Sequence, residues 1–150
     1  MKRPHARVLL RVAIVGVVVV LAVWLLMTWT GLAFWNTKKV PYTTASVTLT
    51  RGTWLLVDFG VINSSVGDDW VLVSEPDPDV LGEPKTEGEY LGEKGSTGGR
   101  NTRLYRFATV GPGTAVLDFE YRFRGNVPDD QAERKTAHIV VDVEPRWPFR

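Results

Sequence analysis

Two hydrophobic patterns divide the chain. From Val12 to Trp35 apolar residues run on without any acidic or basic side chain. Beyond Asn36 apolar and polar positions alternate. Ala115, Leu117, Phe119, Tyr121 and Phe123 are apolar or aromatic, while Asp118, Glu120, Arg122 and Arg124 lie between them. This period of two predicts a strand with one buried face. Ala137, Ile139, Val141 and Val143 repeat the pattern, as do Leu55, Val57, Phe59 and Val61. Shorter candidate strands are Val47–Leu49, Trp70–Val73, Glu89–Leu91 and Leu104–Phe107. Gly-, Pro- and Asn-rich turns separate them, notably Asn63 to Gly67, Gly95 to Gly99 and Gly125 to Asp129. No stretch in this part sustains a 3.6-residue period. The spacing predicts an all-β fold, an immunoglobulin-like β-sandwich of about seven strands.

The first pattern predicts one N-terminal transmembrane α-helix ahead of the sandwich. Residues 12–35 as a helix would span about 36 Å, against a hydrocarbon core of about 30 Å. Trp29, Phe34 and Trp35 would form an interfacial aromatic belt. Lys2, Arg3, Arg7 and Arg11 precede the run, so charge favours a cytoplasmic N-terminus. The run is long for a cleaved signal peptide and lacks a small-residue cleavage site beside it, which favours an uncleaved anchor. The expected organisation is a basic N-terminus at 1–11, a membrane helix at 12–35, a linker at 36–45, the sandwich at 46–144 and a tail at 145–150. The expected location is the cell membrane, single-pass, with the C-terminal domain outside.

Composition narrows the chemistry. The 150 residues contain no Cys, so there is no disulfide framework, thiolate metal site or cysteine nucleophile. With only His5 and His138, a His-based catalytic set finds no support, and no cofactor, metal site or catalytic residue is expected. The net charge of +1 hides an asymmetry. Residues 58–93 hold ten acids and one base, Lys85, whereas residues 94–124 hold six bases and two acids. No basic face is dense enough for nucleic acid. The tail residues Trp147 and Phe149 suit packing on the sandwich, resting on a membrane surface or binding a partner, and the sequence does not choose among these.

Three segments carry a resemblance. Asn63-Ser64-Ser65-Val66-Gly67-Asp68-Asp69-Trp70 follows the second strand. Gly95-Ser96-Thr97-Gly98-Gly99 leads into Leu104-Tyr105-Arg106-Phe107. Tyr121-Arg122-Phe123-Arg124-Gly125 precedes the last alternating strand, Ile139–Val143. In order and spacing these resemble the chagasin-like inhibitors of papain-type cysteine peptidases, over roughly residues 46–144. The Asn, Gly and Trp of that family's first loop are kept at Asn63, Gly67 and Trp70. Ser64 and Val66 stand where the family has Pro and its second Thr, Asp68 stands where it has an aromatic, and the Pro-Trp of its third loop is missing.

The resemblance implies a binding domain that does no chemistry and fills a peptidase cleft with three loops. The residues expected at the docking rim are Asn63, Ser65, Gly67, Asp68, Gly98, Gly99, Arg122 and Arg124. Acids on the first loop and arginines on the other two would make that rim bipolar. The expected partner is a papain-type cysteine peptidase or another membrane or envelope protein. The competing function is an accessory or assembly subunit of a membrane protein complex, using the same sandwich as a non-inhibitory module. Without the resemblance, residues 63–70 read more simply as an ordinary turn followed by a core Trp, and the charges as solvated strand faces that compensate one another.

Overall fold

The computed structural model describes residues 5–29, 36–93 and 98–146. They belong to two units, one helical and one built of strands. The helical unit contains α1, His5–Trp29. This differs from the expected membrane helix over residues 12–35. The helix begins at His5 and so takes in Arg7 and Arg11, and residues 30–35, with Phe34 and Trp35, lie outside the described residues. Among the described residues no helix is long and apolar enough to cross a membrane. The single-pass placement with a cytoplasmic N-terminus and an outer domain is therefore corrected. Along the helix, side chains from Ile14 to Leu26 are exposed.

Among the described residues the second unit is a β-sandwich of eight strands: β1 (Thr37–Pro41), β2 (Ser46–Thr50), β3 (Trp54–Ile62), β4 (Asp68–Leu72), β5 (Lys85–Glu87), β6 (Asn101–Ala108), β7 (Gly113–Phe123) and β8 (Thr136–Glu144). One sheet has the order β1-β3-β6-β5 and the other β2-β8-β7-β4. β1 lies parallel to β3 and β2 parallel to β8, and the remaining pairs are antiparallel. The alternating residues face inward along most of their length, but the bulge between Asp58 and Val61 reverses β3, so Val61, expected inside, is exposed and Ile62 is buried in its place, and Phe123 at the end of β7 is exposed. Leu55, Val57, Phe107, Leu117, Phe119, Ile139 and Val141 are all but inaccessible. Burying such side chains contributes ~1.5–3 kcal/mol each, and this substitutes for an inter-sheet disulfide.

Two elements differ from their sequence reading. Residues 37–41, expected in a linker, form β1, with Val40 buried and Tyr42 stacked on Phe59 at 5.7 Å. A single inward apolar position gives no alternation to detect, because β1 is an edge strand with its remaining side chains exposed. The strand expected at Glu89–Leu91 is displaced to Lys85–Glu87, leaving only a bridge from Tyr90 to Asn101.

The acidic stretch after β4 plugs one end of the sandwich. Val80 and Leu81 are buried, Val110 N–H donates to Val80 O at 2.8 Å, and Gly82 N–H donates to Ala108 O at 2.9 Å. These contacts fall where β6 ends, so Asp77, Asp79 and Glu83 belong to the pole opposite the start of β6.

At that same pole Thr109 ties the β2–β3 turn to β6. Its buried hydroxyl accepts from Gly52 N at 2.8 Å and Thr53 N at 3.0 Å, and donates to Thr53 O at 2.9 Å. Thr109→Val keeps the shape and removes every one of these bonds. The expected result is a loss of ~1–3 kcal/mol in urea unfolding, with the urea dependence unchanged. Phe119→Ala, which empties the centre of the core, is expected to cost ~3–5 kcal/mol in the same measurement.

Candidate functional site

The site is built around the turn that links β3 to β4. Asn63 O accepts from Val66 N at 3.1 Å and from Asp68 N at 3.2 Å, and Gly67 N–H donates to Ser64 O at 3.1 Å. Consecutive tight turns of this kind project Ser64, Ser65 and Val66 outward, and all three are exposed. It is thus the main-chain carbonyl of Asn63 that closes the loop. Its side-chain Oδ1 is buried and has no hydrogen-bond partner among the described residues.

The floor of the loop is aromatic. Trp70, two residues into β4, is buried between Phe59 at 4.8 Å, Tyr42 at 5.0 Å and Tyr121 at 5.9 Å. Phe59 in turn meets Tyr105 and Phe119 edge-on. Ring pairs at these separations add ~0.5–1.5 kcal/mol each beyond the area they bury.

β4 is a sheet edge, and its outward backbone is satisfied by side chains. Trp70 N donates to Asp69 Oδ1 at 2.8 Å, and Trp70 O accepts from the Tyr105 hydroxyl at 2.7 Å. Arg103 holds the same Asp69 oxygen at 2.7 Å, so an ion pair and a phenol join the two sheets beneath the loop. Burial, then the Asp69 carboxylate, raise the Tyr105 pKa. A covered edge resists pairing with foreign strands.

The other two loops lean on the first from either side. On one flank Ser64 Oγ donates to Asn101 Oδ1 at 2.7 Å and Ser65 Oγ donates to Gly99 O at 3.3 Å. Gly98 adopts φ +86° beside Ser65. The ring of Tyr90 lies so close to Gly92 and Gly99 that a Cβ at either would overlap it. Gly95, Ser96 and Thr97 lie outside the described residues. On the other flank, Arg124 (φ 52°) and Gly125 (φ 81°) form the two-residue turn of a hairpin. Phe123 and Asn126 exchange backbone bonds across it, at 2.8 and 3.0 Å. Both positive dihedrals match the type I′ geometry that suits strand twist. Arg124 N donates to Gly67 O at 2.7 Å and its Nε donates to Val66 O at 3.4 Å.

The eight residues expected at the rim therefore take different positions. Ser65, Gly98, Gly99 and Arg124 stand together at the tips with Gly67 beneath them. Asn63 closes the loop base. Asp68 points back into the frame, where its Oδ1 accepts from Tyr121 Oη at 2.8 Å and its Oδ2 from Asn63 N at 3.3 Å. Arg122 stands back along β7, paired with Glu120 at 3.4 Å. Val66, Tyr90 and Asn101 join the tips without having been singled out by the sequence. Val66 is 45% exposed, a visible apolar residue in a polar turn, whereas Tyr90 and Asn101 carry no local signal.

No known sequence family matches the chain, and no curated protein matches it significantly. Solved structures do resemble it. The cysteine protease inhibitor EhICP2 from Entamoeba histolytica superposes with a TM-score of 0.55 at 13% identity, covering 73% of this chain and 96% of that one. Amebosin gives 0.49 at 16% identity, covering 73% and 98%. PbICP-C, solved in complex with falcipain-2, gives 0.48 at 15% identity, covering 73% and 99%. The sandwich of two four-stranded sheets thus shares its fold with the inhibitor EhICP2.

Gly67 adopts φ +101°, and a Cβ there would sit 2.7 Å from Arg124 Cγ and 3.0 Å from Arg124 N and Cα. Gly67→Ala is expected to destabilise the protein by ~1–3 kcal/mol, read by thermal unfolding, and to push the Arg124 hairpin aside.

Tyr121 supplies a pH test. Its partial burial, then its bond to Asp68, raise its pKa to about 12. The unfolded phenol ionises near pH 10, so the contribution is complete below pH 10 and is lost as pH rises towards 12. Unfolding stability should fall across that interval, and Tyr121→Phe should flatten the fall.

Proposed function

We propose that this chain is a binding domain for papain-type cysteine peptidases that occludes the substrate cleft with three loops. One observation carries the reading: residues 63–67, 98–101 and 123–126, far apart in sequence, converge on one end of the sandwich and brace one another through backbone and hydroxyl bonds. The fold shared with EhICP2 supports the same class of activity. Its likeness to inhibitors fits binding rather than catalysis.

In this reading Val66 is the apex that enters the cleft, flanked by Ser65, Gly98 and Gly99 on one side and Arg124 on the other. Asn63, Gly67 and Asp68 set the loop's shape, and Arg122 flanks the hairpin. Tips fixed by internal bonds before docking lose little conformational freedom on binding, which favours affinity without any covalent step. The glycines bring backbone rather than side chain against the cleft walls.

The purified full chain titrated against papain-type peptidases should inhibit them reversibly at micromolar concentration or below. Val66→Asp should weaken inhibition by about tenfold or more, equivalent to ~1.4 kcal/mol. Absence of inhibition across a panel of such enzymes, with the chain folded, would overturn the proposal.

A further inference from the structure

Sequence alone places acids on the first loop and arginines on the other two, a rim of both signs. The structure distributes these charges differently. Both carboxylates at the base of the first loop are consumed internally. Asp68 accepts from the Tyr121 hydroxyl and from Asn63 N, and Asp69 is held by Arg103 at 2.7 Å while accepting from Trp70 N. Other acids of the same acidic stretch are also accounted for away from the tips. Asp58 pairs with Lys39 at 2.8 Å and Glu87 with Arg106 at 2.8 Å, while Asp77, Asp79 and Glu83 belong to the opposite pole. Glu89 and Glu93 are exposed on either side of Tyr90, and Asp129, Asp130 and Glu133 are exposed beyond the Arg124 hairpin, all outside residues 63–67, 98–101 and 123–126.

Within residues 63–67, 98–101 and 123–126 the charged side chains are Arg100 and Arg124. Arg100 and Arg124 are both exposed, and neither makes an ion pair among the described residues. Arg124 is held in place without being neutralised. Its Nε reaches Val66 O, and its guanidinium lies 5.2 Å from the Phe123 ring centre. The two arginines belong to the two outer loops, so they bracket the exposed Val66.

We infer that the partner surface is a peptidase cleft whose two edges carry carboxylates, one set for Arg100 and one for Arg124, around an apolar floor that receives Val66. This inference rests on the peptidase-binding reading and names the charge class of the partner. Opposite charges across a rim act mainly by steering encounter, so they speed association more than they slow release. Withdrawing Asp68 and Asp69 into the frame removes the like charges that would repel such edges, and it does so without leaving any carboxylate unpaired at the loop base.

The experiment measures association and dissociation rates of the full chain with papain-type peptidases that differ in cleft-edge charge, at low and high salt. Arg100→Glu and Arg124→Glu are the variants. Arg51→Glu, exposed in the β2–β3 turn at the other pole, is the control. Each rim reversal is expected to slow association with acidic-edged enzymes by about three- to tenfold at low salt, with the deficit shrinking at high salt as screening sets in. Arg51→Glu should leave the rate unchanged. Arg124 sits at positive φ, so circular dichroism of each variant checks its fold, and Arg100→Glu stands as the independent variant. Binding that is insensitive to both reversals, or that favours basic-edged enzymes, overturns this inference and leaves the peptidase reading standing. Binding to none of the enzymes overturns both.

Discussion

The packing of Trp70 among Tyr42, Phe59 and Tyr121 is the contact on which the rest of the structure depends. It lies where the two sheets must be joined without a covalent link, and it lies directly under the loop that defines the site. Tyr42 comes from the chain between the first two strands, Phe59 from one sheet, and Trp70 and Tyr121 from the other. One cluster therefore does two jobs: it closes the core and gives the β3–β4 turn a rigid base. The hydroxyl of Tyr105 and the carboxylate of Asp69 extend the same junction by satisfying the outward backbone of Trp70. The edge of the second sheet is thereby spent on holding the site rather than left open.

From this base the rim is assembled by relays of short polar contacts. The central loop leans on Asn101 and Gly99 on one side and on the Arg124 hairpin on the other. The arrangement is mutual: the loop that crosses from one sheet to the other is steadied by one loop from each. Glycines appear where backbone must pass closely, as at Gly67 against Arg124, or where an aromatic ring covers the chain, as at Gly99 under Tyr90. Such a surface is stiff because its parts restrain one another, which is what the proposed docking role requires.

Much of the sandwich is legible in the sequence because its buried strands alternate, β3 as far as its bulge at residues 58–61. β3, β7 and β8 each have one dry face, and their periods announce it. β1 is not legible, since an edge strand with one inward valine has no period to show. Nor is the position of β5, where Lys85-Thr86-Glu87 is polar throughout and is placed by its partner β6. The helix expected to cross a membrane illustrates the opposite hazard: an uncharged run sets composition but not where a helix begins. In the site, motif spacing located the loops, yet it could not say which way a side chain turns. Asp68 and Arg122 are found by spacing and then engaged inward or sideways by Tyr121 and Glu120. Tyr90 and Asn101 reach the rim only through strand pairing, which no local window contains.

The strand order carries one more consequence, for the chain as it is made. β2 finds its partner in β8, with Ser46 aligned to Val140. At roughly 5–20 residues per second, synthesis separates those two strands by about five to twenty seconds. For that interval Val47 and Leu49 have no sheet to join, so the second sheet closes only once the final strand has left the ribosome, and nascent chains are most exposed to mispairing just before that moment.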